Sequence, residues 1–452
     1  MPSSSSSSMA SSDHEEGPKR HAPATRTPHR VGPPHAARQR LEWAAWTALN
    51  LGATLVTALL LRTLPGEDRT LFLLYYQPLI PALAMLWFWT VAVWHWERRG
   101  VRYAACFSPE DARHLPGSAV LFRAGTALSA VTTLSGAVFL YQLAEGQRGA
   151  AALQPPLMYS SLAVALLWPG PGFHGDTRRF FARTLTRVAL PVHAVSWADF
   201  FLADVATSLS KSVGDGARAL CAVAAGPGAA FGSGTCGESG ALAPLGSALP
   251  YAVRLVQCVR VFRDTGARSQ AFNAVKYATA FPAIALAGAA ASVGPELWLT
   301  TLRPLWVGAA ALNAAYSYFW DLERDWEIGF FSQMDVQKTA LPRPVLASPA
   351  MYPRAVYLYL MASNLVLRLT WIYKLSDGLR ANALVVSFFA LLEVFRRFQW
   401  MFVRVEVELR KLQNQKPELG SLMGHDGSAA LSSPKPGAAT PTHPFHTHEP
   451  KL

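Results

Sequence analysis

SAVLFRAGTALSAVTTLSGAVFLYQLA, residues 118–144, is the stretch on which the reading of the fold turns. It carries one charge, Arg123, in 27 residues, and about 20 mostly apolar residues are enough for a helix to cross a bilayer. Comparable runs flank it at 71–95 and 150–168, with another before them at 43–64. After an amphipathic stretch, six more follow at 198–225, 241–262, 272–293, 297–321, 353–376 and 382–405. The fold class is therefore all-α: a polytopic transmembrane helix bundle of about ten spans.

Composition agrees. Of 452 residues, 51% are hydrophobic and 15% charged, against roughly a quarter charged in soluble domains. The net charge of +12 raises nucleic acid as a partner, but the basic residues sit in short clusters between apolar runs, not along one exposed face. Such clusters report orientation, because short cytoplasmic loops hold the Lys/Arg excess. Arg98, Arg99 and Arg102 form one; Arg178, Arg179, Arg183 and Arg187 another; Arg263 and Arg268, then Arg324, Lys338 and Arg343, two more. The alternate loop 226–240 has none. Both termini are thus predicted cytosolic, and the surrounding partner is the lipid bilayer, with no nucleic acid.

Residues 1–40 lack an apolar signal-peptide core and read as a disordered cytosolic tail. Residues 41–412 form the transmembrane domain, and 413–452 a second polar tail whose His443, His446 and His448 read as solvated rather than metal-binding. Segment 176–197 has the basic-amphipathic pattern of a helix lying in the membrane interface, or of a cytosolic linker packed on the bundle. Cys106, Cys221, Cys236 and Cys258 show no CxxC spacing and are expected to be ordinary buried thiols. There is no HExxH, no nucleophile elbow and no GxxxxGK[ST] phosphate loop. The reading is of a protein that is not an enzyme and takes no metal or cofactor.

Charges inside spans are costly and mark a pathway or wet cavity. Asp204 and Lys211 fall in the fifth span, Lys276 in the seventh, Asp321 at the end of the eighth, Arg368 in the ninth, and Glu393, Arg396 and Arg397 in the tenth. With about 1.5 Å rise per residue, Arg397 lies about 12 Å from the cytosolic end of its helix and Arg368 about 22 Å from that of the ninth. Three guanidiniums near mid-membrane supply planar forks suited to a tetrahedral oxyanion. Asp204, Lys276, Asp321 and Asp325 lie nearer the cytosolic face as a mixed-charge mouth. Asp321 and Asp325 share a helix face, as do Arg368 and Trp371. A structural role stands beside this: Glu393 precedes Arg396 and Arg397 by three and four residues and can neutralise one of them within the helix. One carboxylate cannot neutralise two.

The same residues carry a resemblance. ADFFLAD (198–204) is similar to ADFWLAD of the EXS family, RDTG (263–266) with NAVKYATAFP (273–282) to its RDT and NAGKYST, and SYFWDLERDW (317–326) to its YTLIWDLKMDW. VLRLTW (366–371) resembles ILRFAW, and LEVFRRFQWMFVRVEVE (392–408) resembles LEVFRRFxWNFFRLENE. The family comprises the membrane domain of the xenotropic and polytropic retrovirus receptor, plant phosphate exporters and a yeast Golgi protein, and the likeness is strongest over 198–408. It implies a ten-span bundle, usually a homodimer, that conducts inorganic phosphate out of the cytosol or across a Golgi-type membrane. By matching positions, Asp204, Lys276, Tyr277, Asp321, Asp325, Arg368, Arg396 and Arg397 line the phosphate path, and Trp371 is the gate-like aromatic. The chain departs from the pattern at Thr207, where the family often has Asn, and at Ser363 and Asn364, where it often has an acidic pair. About 40 residues before the first span are too few for the family's SPX sensor, so the resemblance implies an SPX-less member in the Golgi or endomembranes rather than the plasma membrane. The alternative is a Golgi retention or sorting protein without transport activity.

Overall fold

The structure, a computed structural model, describes residues 33–168, 170, 174–226, 236–237, 240–329 and 350–415. The chain divides at Ala45; the first unit contributes only the helical start of α1, and every contact below lies in the second, Trp46–Leu452. The main helices are α1 (Pro33–Thr63), α2 (Gly66–Tyr76), α3 (Leu79–Arg98), α4 (Ser118–Ala144), α5 (Gln154–Leu167), α6 (Gly175–Ala189) and α7 (Trp197–Ser208). They continue as α8 (Ser210–Ala225), α9 (Leu242–Thr265), α10 (Arg268–Ala278), α11 (Ala280–Ala289), α12 (Arg303–Trp320), α13 (Arg354–Arg368) and α14 (Ala383–Gln415). Among the described residues there is no strand. Helix α1 begins at Pro33 and α14 runs to Gln415, each reaching into a stretch expected to be a tail; the rest of the C-terminal tail, with His443, His446 and His448, lies outside the described residues.

Six helices combine membrane-crossing length with apolar composition: Ala44–Thr63, Leu79–Arg98, Ser118–Ala144, Arg148–Leu167, Leu242–Thr265 and Arg354–Leu375. The chain is a polytopic helical membrane protein. Large apolar side chains such as Leu55, Leu157, Leu245 and Leu312 face outward, as a lipid-facing surface requires. The four expected spans outside that set are those that carry Asp204, Lys276, Asp321 and the Glu393–Arg397 group, and each is interrupted or too polar to qualify.

The interruptions have local causes. Helices α7 and α8 part at Leu209, and α10 and α11 part at Thr279. In both, a threonine hydroxyl back-bonds to the carbonyl three residues earlier, Thr207 to Asp204 and Thr279 to Lys276, each at 2.7 Å. Such back-bonding competes with the helical ladder. Beyond α12 the chain makes a π-helical turn, Asp321–Asp325, in which Trp326 N donates to Asp321 O five residues back at 2.9 Å; π turns recur at functional sites. Helix α13 stops at Arg368 and continues as a 3-10 stretch, Thr370–Leu375. Trp371 therefore does not share an α-helical face with Arg368 as expected.

The largest core joins α3, α7 and α14. Phe88 stacks on Phe398 at 4.7 Å between ring centres, and Phe201 meets Trp89 at 5.4 Å and Trp400 at 5.9 Å. Helices α8 and α9 approach through glycines: a Cβ added at Gly246 would lie 2.8 Å from Gly214 Cα, and one at Gly214 2.5 Å from Ala243 O. Small residues at membrane helix contacts allow this approach. Gly266, at φ +70°, ends α9 by donating its N–H to Phe262 O at 2.8 Å, the left-handed cap that favours glycine.

Helix α6 packs on α7, burying Thr184 and Val188. Arg187 Nε donates to Asp199 Oδ1 at 2.8 Å, while Arg179 and Arg183 stay exposed. The basic helix is thus anchored to the bundle by one of its arginines. The cysteine expectation is corrected: Cys221 at the end of α8 and Cys236 form a disulfide with a Cα separation of 5.6 Å, while Cys106 and Cys258 are buried free thiols. A single short-range pair needs no repeating motif, which is why spacing did not reveal it.

Candidate functional site: a buried network of charges

The interrupted helices bring their charges together inside the bundle. Asp204, 1% exposed, accepts on Oδ1 from Arg254 Nε at 2.9 Å and from the Tyr277 hydroxyl. Arg254 is 2% exposed; its Nη1 donates to Gln257 Oε1 at 2.7 Å, and its guanidinium lies over the rings of Phe200 (4.7 Å) and Tyr277 (4.9 Å). Asp204 Oδ2 and Arg254 Nη2 are buried with no hydrogen-bond partner among the described residues. Arg254 was not among the charges singled out from the sequence. Its signal was available: Arg254, Gln257 and Cys258 are spaced three and four apart on one buried face of α9.

Asp321 gathers the next set on a single oxygen. Its Oδ2 accepts from Arg368 Nη2 at 2.7 Å and Nε at 3.2 Å, from Asn364 Nδ2 at 3.0 Å, and from Arg396 Nη1 at 3.5 Å. Arg396 is also held by Glu393, through Nη2 to Oε1 at 2.6 Å and Nε to Oε2 at 2.9 Å. Of the three guanidiniums expected to face an anion, two are therefore held by carboxylates. Glu393 spends its charge on Arg396, and Arg397 has none.

Arg397 is buried and, among the described residues, bound only by neutral groups. Its Nε donates to Ser208 Oγ at 3.0 Å and its Nη2 to Thr207 Oγ1 at 3.1 Å, with the guanidinium 4.4 Å from the Trp400 ring centre. Ser208 in turn donates to Glu393 Oε1 at 2.8 Å. The ammonium of Lys276 is in a similar position, 4.4 Å from the Tyr277 ring and 5.3 Å from that of Trp320. Among the described residues neither cation has a carboxylate within ion-pair distance. Asp325 has no cation partner there either; its Oδ2 accepts from Trp400 Nε1 at 3.0 Å. Thr207 and Asn364, two of the departures from the family pattern, sit inside this network, while Ser363 donates outside it to Gln399 Oε1 at 2.9 Å.

Two sequence-predicted residues stand apart. Trp371 packs edge-on against Trp306 at 5.8 Å between ring centres. Lys211, half-exposed, is paired with Asp215 at 2.7 Å. A buried charge is expensive unless it is paired or hydrogen-bonded. Five cations, Arg254, Lys276, Arg368, Arg396 and Arg397, face four carboxylates, Asp204, Asp321, Asp325 and Glu393. The surplus is positive and is concentrated on Arg397 and Lys276. An anion between them would supply the missing counter-charge.

A helical membrane bundle whose interrupted spans converge on an electropositive polar interior is the class that fold and site define. Residues 72–409 match the model of the EXS family, and the chain belongs to that family. It is 29% identical over 344 residues to SPX and EXS domain-containing protein 1 of Dictyostelium discoideum, covering 73% of this chain and 36% of that protein. It is 28% identical over 275 residues to Solute carrier family 53 member 1 of Homo sapiens (56% of this chain, 38% of that protein). It is 32% identical over 176 residues to Protein ERD1 homolog 1 of Schizosaccharomyces pombe (36% and 44%). The matched region thus spans less than half the length of each of these relatives.

Proposed function

We propose that this chain conducts inorganic phosphate out of the cytosol or across a Golgi-type membrane, through a path lined by Asp204, Lys276, Tyr277, Asp321, Asp325, Arg368, Arg396 and Arg397. The observation that carries the reading is the pair of buried cations, Arg397 and Lys276, neither of which has a carboxylate within ion-pair distance among the described residues. Phosphate enters at the Lys276 mouth and meets Arg397 beyond it. Trp371 gates the passage by swinging off Trp306. Outward movement of an anion across an inside-negative membrane is favourable by about 2.3 kcal/mol per charge per 100 mV, so a gated uniporter needs no chemical fuel. The similarity to a named solute carrier supports a transporter rather than an enzyme.

The ten-span topology with both termini cytosolic is part of this proposal. The Cys221–Cys236 disulfide supports it, because disulfides persist on the lumenal or extracellular side and this one closes the loop that has no basic residues. Assembly as a homodimer is proposed from the family alone.

The test is radiolabelled phosphate flux in proteoliposomes, wild type against Arg397→Ala. Wild-type flux that falls at least about tenfold in the variant is the expected result, since the removed charge is the path's unneutralised one. A wild-type protein that moves no phosphate removes the transport reading and leaves retention or sorting in its place. Unchanged flux in Arg397→Ala removes that residue from the path.

A further inference from the structure

The polar lining continues past Arg397. Asp204, Ser208, Lys211 and Asp215 are spaced four, three and four apart, the step of one helix face. On α14, Arg397, Glu393, Ala390 and Ser387 step back by four, three and three. Ser208 bonds to Glu393 across the two helices at 2.8 Å. About one turn further on, the helices flank a cavity of about 10 Å³, room for one water. Its lining includes Lys211, Ser212 and Asp215 of α8, Ser387 and Ala390 of α14, and Gln77 beside α2. Lys211 Nζ donates to Asp215 Oδ2 at 2.7 Å, and Gln77 Nε2 to Ser387 Oγ at 2.8 Å. Ser387 is ten residues from Arg397, about 15 Å along α14, on the side away from the predicted cytosolic end of the helix.

The ion pair sits where charge is hardest to place. Lys211 is fourteen residues from each end of 197–225, about 21 Å, too deep for its ammonium to reach an interface. Yet its side chain is 40% exposed and that of Asp215 24%. Ionisable groups at such depth face a protein interior or a wet cavity and mark ion routes. An i,i+4 pair stabilises a helix too weakly to account for two charges at mid-bilayer. Held by Asp215, Lys211 is neutralised by a carboxylate oxygen that a phosphate oxygen can replace. The cavity is smaller than phosphate, so passage requires the pair to part.

We propose that this cluster is a second anion station, in the half of the path away from the Lys276 mouth: Lys211 leaves Asp215 to take a tetrahedral oxyanion from Arg397, and its return to Asp215 closes the exit. Ser212, Ser387 and Gln77 supply hydrogen-bond donors around the ion. The station presupposes the phosphate path. In Ser212→Cys, with the native cysteines paired or buried, an anionic methanethiosulfonate supplied from the lumenal or extracellular side should react about tenfold faster than a cationic one. Inorganic phosphate should slow that reaction, and Lys211→Gln should abolish the preference. In proteoliposomes, phosphate flux should fall at least about tenfold in Lys211→Gln and persist in Lys211→Arg. Because Lys211→Gln strands Asp215 and can fail to fold, the double variant Lys211→Gln/Asp215→Asn, which strands no charge, is measured beside it and should also lose flux. Wild-type flux in the double variant, or a Ser212→Cys rate indifferent to phosphate, overturns the proposal and leaves the pair a helix staple. Either result beside an active wild type sinks only the station, whereas wild type that moves no phosphate sinks the transport reading itself.

Discussion

Arg254→Met tests whether the buried network is held together as its geometry indicates. Arg254 and Asp204 are almost fully enclosed and 2.9 Å apart. With charge centres about 4 Å apart and an effective dielectric of about 20, their attraction is about 4 kcal/mol. Desolvating two ions costs several kcal/mol each, so the net contribution of the intact pair is small. Removing one partner is different. Arg254→Met leaves the Asp204 carboxylate with the Tyr277 hydroxyl and the more distant Lys276 and Arg397, and the expected loss of stability is about 3–5 kcal/mol. Asp204→Asn strands Arg254 on Gln257 and two aromatic rings, with a loss of similar size. The double variant removes both charges and should recover most of the summed loss, a coupling larger than either single loss. Thermal unfolding of the purified protein in detergent, followed by loss of the monodisperse species, should rank wild type and the double variant above both single variants. A double variant as unstable as the sum of the singles would refute the reasoning, as would single variants that unfold together with wild type.

Three further outcomes follow from the packing. Gly214→Leu forces a side chain into Ala243 O and Ser247, and should lower the unfolding midpoint by an amount equivalent to about 1–3 kcal/mol; Gly52→Leu, in open space on α1, should not. Cys106, between α3 and α4, is buried, and that burial pushes its thiol well above the usual range; maleimide labelling should stay absent as pH is raised to about 9 and appear only on unfolding. In Cys236→Ser, the freed Cys221, which is only partly buried, should react with a membrane-impermeant maleimide supplied from the lumenal or extracellular side. Reaction only from the cytosolic side would reverse the proposed topology.

The sequence made the helices legible because a bilayer demands long apolar runs, and 118–144 or 79–98 can be little else. One break was legible: Pro282 lacks the N–H that would bond to Ala278 O and so join α10 to α11. The other was not, because neither proline nor glycine stands at Leu209, and the Thr207 hydroxyl bonds to the Asp204 carbonyl only once the helix has formed. Pairing divides in the same way. Glu393 and Arg396 are three residues apart, so their bond could be anticipated from helical spacing, whereas Asp321 meets Arg368 across 47 positions and Arg396 across 75. Only the tertiary fold sets those contacts, and they change the chemistry by neutralising two of the guanidiniums that had been expected to face an anion. Arg254 is less conspicuous because its expected span holds Arg254 and Arg260 six residues apart, without an adjacent pair such as that in α14.

On the phosphate reading, the partial neutralisation bears directly on conduction. A path lined by five bare cations would be too costly to bury and would hold a passing oxyanion too tightly to release it; conduction needs binding strong enough to admit the ion and weak enough to let it leave. In this network Asp321 and Glu393 hold Arg368 and Arg396 through oxygens that a phosphate oxygen can replace, so each guanidinium can exchange one acceptor for another without losing a counter-charge. Arg397 differs, because its partners are the hydroxyls of Thr207 and Ser208, and an arriving anion there adds charge where none is offered. On the phosphate reading, Arg397 therefore sets how tightly the ion is held, and the carboxylate-bound arginines set how easily it moves on. Glu393→Gln, which should leave Arg396 less neutralised, would then slow release: phosphate should bind more tightly while maximal flux falls. A variant in which affinity and maximal flux fall together would show that Glu393 serves only to hold α14 in shape.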